Sequence, residues 1–125
     1  MNTSQVRAQL GAALTEVLPS GKYHIVSNVG TVDRLAKRLV QIELSSFSPS
    51  NNAKGVRTVE LTIHVATHLD GTTAAAEDDA EAAAFEVFAA LETFGWANPT
   101  RAEKTVYKDK YLGFDITTEI LTKRN

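Results

Sequence analysis

Apolar residues recur along this chain with two different periods. Val6, Leu10, Ala13, Leu14, Val17 and Leu18 follow the three- and four-residue steps of a single helical face. Gln5, Arg7, Gln9 and Glu16 take the opposite face, Thr3 or Ser4 can cap the start, and Pro19 with Gly21 ends the helix. A second helix is predicted from a cap at Thr72 or Thr73 to about Phe94, with Gly95 as its stop. Ala80, Ala84, Val87, Phe88 and Leu91 form its apolar stripe, and nine alanines between 74 and 90 raise its helix propensity.

The remaining patterned segments have period 2. Residues 23–27 are short and rich in β-formers. In 39–44, Val40, Ile42 and Leu44 share one face while Gln41 and Glu43 take the other. In 56–67, Val59, Leu61, Ile63 and Val65 alternate with Thr58, Glu60, Thr62 and His64, the signature of a strand with one wet face. Residues 45–55, made mostly of Ser, Asn, Pro and Gly, read as a flexible connection longer than a hairpin needs. Residues 101–107 and 114–121 predict a closing antiparallel hairpin that turns at 108–110, with Phe114, Ile116, Thr118 and Ile120 on one face. The order is α-β-β-β-α-β-β in one domain, 1–125. The fold class is α+β: about five mainly antiparallel strands in one sheet, two helices packed on one face, and the other face open to solvent or a partner.

Composition acts mainly by exclusion. A chain of 125 residues suits one self-sufficient domain and is too short for a barrel enzyme. Without cysteine there is no disulfide framework and no thiolate chemistry. The first five residues lack the basic start and apolar run of a signal peptide, and the longest apolar runs, 82–85 and 87–91, are far short of the ~20 residues of a membrane span. A soluble protein made and used without export is the expectation. The net charge of −2 conceals an asymmetry, because residues 70–92 carry seven acidic side chains and no basic one. The rest of the chain sets 13 cationic residues against eight anionic ones, a polarity suited to head-to-tail assembly.

Candidate chemistry is sparse. His64 and His68 are expected to share a strand face about 13 Å apart, too far to ligate one metal ion. His24 belongs to no recognisable motif. Glu77, Asp78, Asp79 and Glu81 read as a helix start matched to its dipole and as a solvated acidic face that can meet a basic neighbour. Arg34, Lys37 and Arg38 form a basic cluster without interleaved aromatics, read as protection of an edge strand rather than a nucleic-acid site. No phosphate loop or nucleophile elbow is present. No enzyme, cofactor or metal is expected.

The order of elements is more specific than any one residue. An amphipathic helix leads into Tyr23-His24-Ile25-Val26, followed by the basic segment 34–38, the strand 39–44 and the Ser/Pro/Asn loop. The long strand 56–68 then runs through Asp70-Gly71 into an acidic, Ala-rich helix, and Trp96 and a hairpin containing Tyr111-Leu112-Gly113-Phe114-Asp115-Ile116 close the chain. This arrangement resembles, over nearly the whole chain, the tail-terminator (minor tail) proteins of long-tailed bacteriophages, especially those of actinobacterial hosts. The resemblance implies a homohexameric ring at the neck of the virion tail. Such a ring caps the tail tube and presents a surface to the head–tail connector or stopper protein, with DNA close by in the lumen and no membrane partner. The family has no catalytic residues to carry over. In such a ring, residues 46–55 are expected to project toward a neighbour or the lumen, with Phe47 as an apolar anchor beside Pro49, Asn51 and Lys54. Arg57, Arg34, Arg38, Glu77, Asp78 and Tyr107 complete the expected subunit or tube interface, while Trp96 is expected to pack at the end of the second helix. Two other readings stand beside this one: a different head–tail completion or neck component, and a cellular α+β ligand-binding or regulatory domain with a buried pocket.

Overall fold

In a computed structural model, the period-2 segments pair into one five-stranded sheet of order β1-β2-β3-β5-β4. The structure describes residues 5–28, 30, 34–49 and 55–123. Its elements are α1 (Val6–Val17), β1 (Tyr23–Val26), β2 (Arg38–Pro49), β3 (Val56–Asp70), α2 (Ala74–Thr93), β4 (Ala97–Tyr107) and β5 (Tyr111–Lys123). The fold is α+β in the expected order α-β-β-β-α-β-β. The β2–β3, β3–β5 and β5–β4 pairs are antiparallel, while β1 runs parallel to β2. A parallel pair needs a crossover, and residues 27–37 supply it.

One sheet face is apolar and both helices cover it. Val40 and Ile42 of β2, Val59, Leu61, Ile63 and Val65 of β3, and Ile116 and Ile120 of β5 are almost completely buried against Val6, Leu10 and Leu14 of α1 and Ala83, Val87 and Leu91 of α2. α1 lies over β1 and β2; α2 lies over β3, β5 and β4. Thr73 caps α2, its hydroxyl accepting from the Ala76 amide at 3.2 Å. Gln5 occupies the N-cap of α1 without a side-chain bond, and the suggested caps Thr3 and Ser4 lie outside the described residues. Val17, expected in the buried stripe, is half exposed because α1 ends there at the margin of the sheet.

Two further expectations are corrected. The connection predicted over 45–55 is strand as far as Pro49, with Ser46 to Pro49 paired to Glu60 through Arg57 after a bulge between Leu44 and Ser46. Cross-strand pairing overrides the turn-like composition here, and Pro49 is tolerated because β1 ends beside Gln41 and leaves this part of β2 as a sheet edge. The helix-free face is also not wholly open. On it Leu35 is buried against Leu39, Ala66 and Tyr111 in a second small core. The Gln41 amide group donates to Asn28 O at 3.0 Å and Gly30 O at 2.6 Å, and the Leu35 amide donates to the Tyr111 hydroxyl at 3.3 Å.

The closing hairpin turns where expected. Lys108 and Asp109 both have positive φ, 54° and 56°, and the Lys110 amide donates to Tyr107 O at 3.1 Å, the geometry of a type I′ turn. The strand that follows approaches β3 closely at Gly113, where a Cβ would collide with the Val65 carbonyl oxygen and press on Ala66 Cα. No helix among the described residues is long and apolar enough to cross a membrane. Because the obstacle at Gly113 is backbone in the central strand, Gly113→Ala should destabilise the fold by about 3 kcal/mol in denaturant melts. An unchanged midpoint would show that β3 and β5 are less closely apposed than described.

Candidate functional site

Two polar constellations lie on opposite faces of the sheet. On the helix side, Arg38 stands at the start of β2, where strand alternation directs it toward α2 rather than solvent. Its Nη2 lies 2.8 Å from Asp79 Oδ1 and its Nε 3.3 Å from Asp79 Oδ2, a two-pronged pair with both side chains mostly buried. Its Nη1 donates to the Tyr23 hydroxyl at 3.0 Å and lies 3.5 Å from Glu86, while Tyr23 donates to Glu86 at 2.5 Å. Thr67 donates to Asp79 at 2.6 Å. The network therefore links β1, β2 and β3 to α2.

Electrostatics follows that geometry. The Arg38 hydrogen bonds hold the Asp79 carboxyl below its ordinary pKa against the opposing effect of burial, with Thr67 assisting. Burial, reinforced by the bond to Glu86, pushes the Tyr23 phenol well above its usual range. Arg38, expected on a subunit interface, is thus engaged within its own chain, and Asp79 is not part of a purely solvated acidic face. The helix's charge is partly matched internally as well: Glu77 lies 3.1 Å from Lys104 and Asp70 lies 3.9 Å from Lys110.

On the helix-free side, His64 bridges two carboxylates from neighbouring strands. Its Nδ1 is 2.6 Å from Asp115 Oδ1 on β5, its register partner, and its Nε2 is 2.8 Å from Glu43 Oε2 on β2. A ring bonded to carboxylates through both nitrogens must donate from both, so the geometry selects the imidazolium. Burial works against the charge, yet the bonds to Glu43 and Asp115 outweigh it and raise the His64 pKa above 6.5. A shallow hollow beside it is lined by Gln41, Thr105, Tyr107 and Lys108. His68 lies past the register shift between Ala66 and Asp70, its Nδ1 4.0 Å from Asp79 of α2 and its side chain in a hollow lined also by Leu35 and Tyr111. Among the described residues no group of His, Asp and Glu side chains is arranged to hold a metal ion.

The expected interface residues do not converge on one spot. Phe47 is 62% exposed on the outer part of β2, followed by exposed Pro49, with half-buried Arg57 opposite on β3. Asn51 and Lys54 lie outside the described residues. Arg34 is exposed before β2, Glu77 and Asp78 are exposed in the first turns of α2, and Tyr107 packs partly against the second core. Trp96 stacks on Phe94 with ring centroids 5.2 Å apart, as its place after the second helix suggested. The Glu43–His64–Asp115 bridge went unread because its members are 21 and 51 residues apart and only the strand register brings them together. The sequence matches no family model and no curated protein sequence.

Two measurements test these constellations. Arg38→Met should cost about 3 kcal/mol, because it leaves Asp79 without its cation in a mostly buried setting. Asp79's share of stability is present above about pH 4 and lost as pH falls through its depressed native pKa. Arg38→Met should therefore flatten the acid limb of the stability profile, and an unaltered limb would contradict the pairing. His64 has the opposite sign. Its contribution is complete below about pH 6.5 and disappears as pH rises through its raised native pKa. The difference in urea midpoint between the wild type and His64→Gln should shrink from pH 6 toward pH 9, and a constant difference would show that the ring is not charged.

Proposed function

We propose that the chain is a structural subunit that works by assembling with copies of itself, as a tail-terminator ring of six subunits that closes a phage tail tube and receives the head–tail connector. The observation that carries this reading is the outer end of β2. From Ser45 to Pro49 the strand is exposed at every residue, has no partner on its outer edge among the described residues, and carries Phe47 into solvent. Such an edge favours pairing with another chain unless something covers it. A ring subunit must also meet neighbours on two sides, a tube below and a connector above, and large apolar side chains are exposed on several elements: Phe47 on β2, Phe85 on α2, Val106 on β4 and Leu121 on β5.

The charge division supports the same reading in a reduced form. Asp70, Glu77, Asp79 and Glu86 of the acidic segment have cations nearby in the same chain, leaving Asp78, Glu81 and Glu92 without an ion pair among the described residues. That remainder is the part available to a neighbour. In mass photometry the protein, free or mixed with purified tails lacking it, should give a species near six times 13.6 kDa or a tube-bound ring of that mass. A persistent monomer or dimer that ignores tails and saturably binds a small metabolite would replace this reading with that of a cellular ligand-binding domain.

A further inference from the structure

Phe85 is the most exposed large apolar side chain on the described surface, at 75%. It stands on the outward stripe of α2 between exposed Ala82 and Ala89, with Asp78 and Glu92 two turns away on either side and Glu81 one turn away. None of these three carboxylates has a cation partner among the described residues. An apolar knob ringed by free negative charge calls for an apolar hollow with a positive rim. Self-pairing of two α2 stripes is disfavoured, because each would set its carboxylates against the same set.

The charge at four hollows of the described surface narrows the choice. The hollow beside His64 contains Asp115, the one beside Trp96 and Leu121 contains Glu119, and the one beside Arg34 and Leu69 contains Asp70. A fourth, of about 240 Å³, lies between the end of α1 and β1 and has no carboxylate in its wall. Leu18, Pro19 and Ile25 supply its apolar lining beside Thr15, Tyr23 and His24, and exposed Ser20 lines it too. Lys22 belongs to the turn that forms this hollow, its amide bonded to Pro19 O at 3.1 Å, and Lys37 is next to it through the Arg38–Lys22 backbone bond of 3.2 Å. Both lysines are exposed and neither has an ion pair among the described residues; the carboxylate against the wall, Glu86, accepts from Tyr23 and is matched by Arg38 at 3.5 Å.

We infer that Phe85 of one copy seats in the Leu18–Pro19–Ile25 hollow of a second copy, with Lys22 and Lys37 of the second facing Asp78 and Glu81 of the first. The contact is heterologous, each subunit using its knob on one neighbour and its hollow on another, and a rotation that closes makes the series a ring; a wild-type dimer that exchanges knob and hollow reciprocally would overturn it. The inference rests on the ring reading and assigns it a specific junction.

The test uses two exposed-site variants of the full chain. Phe85→Glu removes the knob and Ser20→Trp fills the hollow, and both should keep the wild-type circular dichroism and melting point. Each alone should raise the concentration for half-assembly at least about tenfold. Mixed one to one, they should form dimers and nothing larger, because one intact knob meets one intact hollow and leaves two dead ends. Phe85→Leu should keep most of the assembly. If wild-type rings form and either variant still forms them, or the mixture yields no dimer, this junction is wrong and the ring stands. If the wild type forms no assembly with or without tails, the ring reading and the junction both fail.

Discussion

Everything in this fold depends on burying a single apolar sheet face. Three antiparallel pairs place Val, Leu and Ile side chains from β2, β3 and β5 in one layer, and no one helix is wide enough to cover it. α1 and α2 therefore divide the layer between the β1–β2 and the β3–β5–β4 halves, and their apolar stripes meet in one continuous core. That division fixes the rest. Polar groups at the seam must be matched, and the Arg38–Asp79–Tyr23–Glu86 network matches them. With both helices committed to one face, the opposite face can carry polar side chains.

That opposite face is held by a different chemistry. Over one end, Leu35 packs onto Tyr111, and Gln41 holds the carbonyls of Asn28 and Gly30. In the centre, His64 bridges Glu43 and Asp115, so one cation relieves the repulsion between carboxylates on neighbouring strands. The two networks respond to opposite ends of the pH scale, because one depresses a carboxyl and the other raises an imidazole. The sheet is consequently best tied together in mildly acidic to neutral solution.

The element order and most of the core were legible in the sequence because they rest on local periodicity. Val59 to Val65 alternate so regularly that the strand and its buried face follow directly, and Thr73 and the alanines announce α2. Long-range pairing was not legible. Residues 45–49 have turn composition and become strand only because Arg57 to Glu60 pair with them. Arg38 looked like a surface cation until the register directed it at Asp79, 41 residues away. The register shift after Ala66 brings His68 to 4.0 Å from Asp79 of α2, a proximity that alternation alone does not carry. The acidic count of α2 was right, but which carboxylates remain for a partner depended on Lys104, Lys110 and Arg38.

We propose that these surfaces serve assembly at the end of a tube rather than recognition of a small molecule. Electron microscopy of purified tails incubated with the protein tests it most directly. One sixfold ring is expected at a single end of each tube, with no density added along its length. Bare tube ends at saturating protein, or decoration along the whole tube, would contradict it.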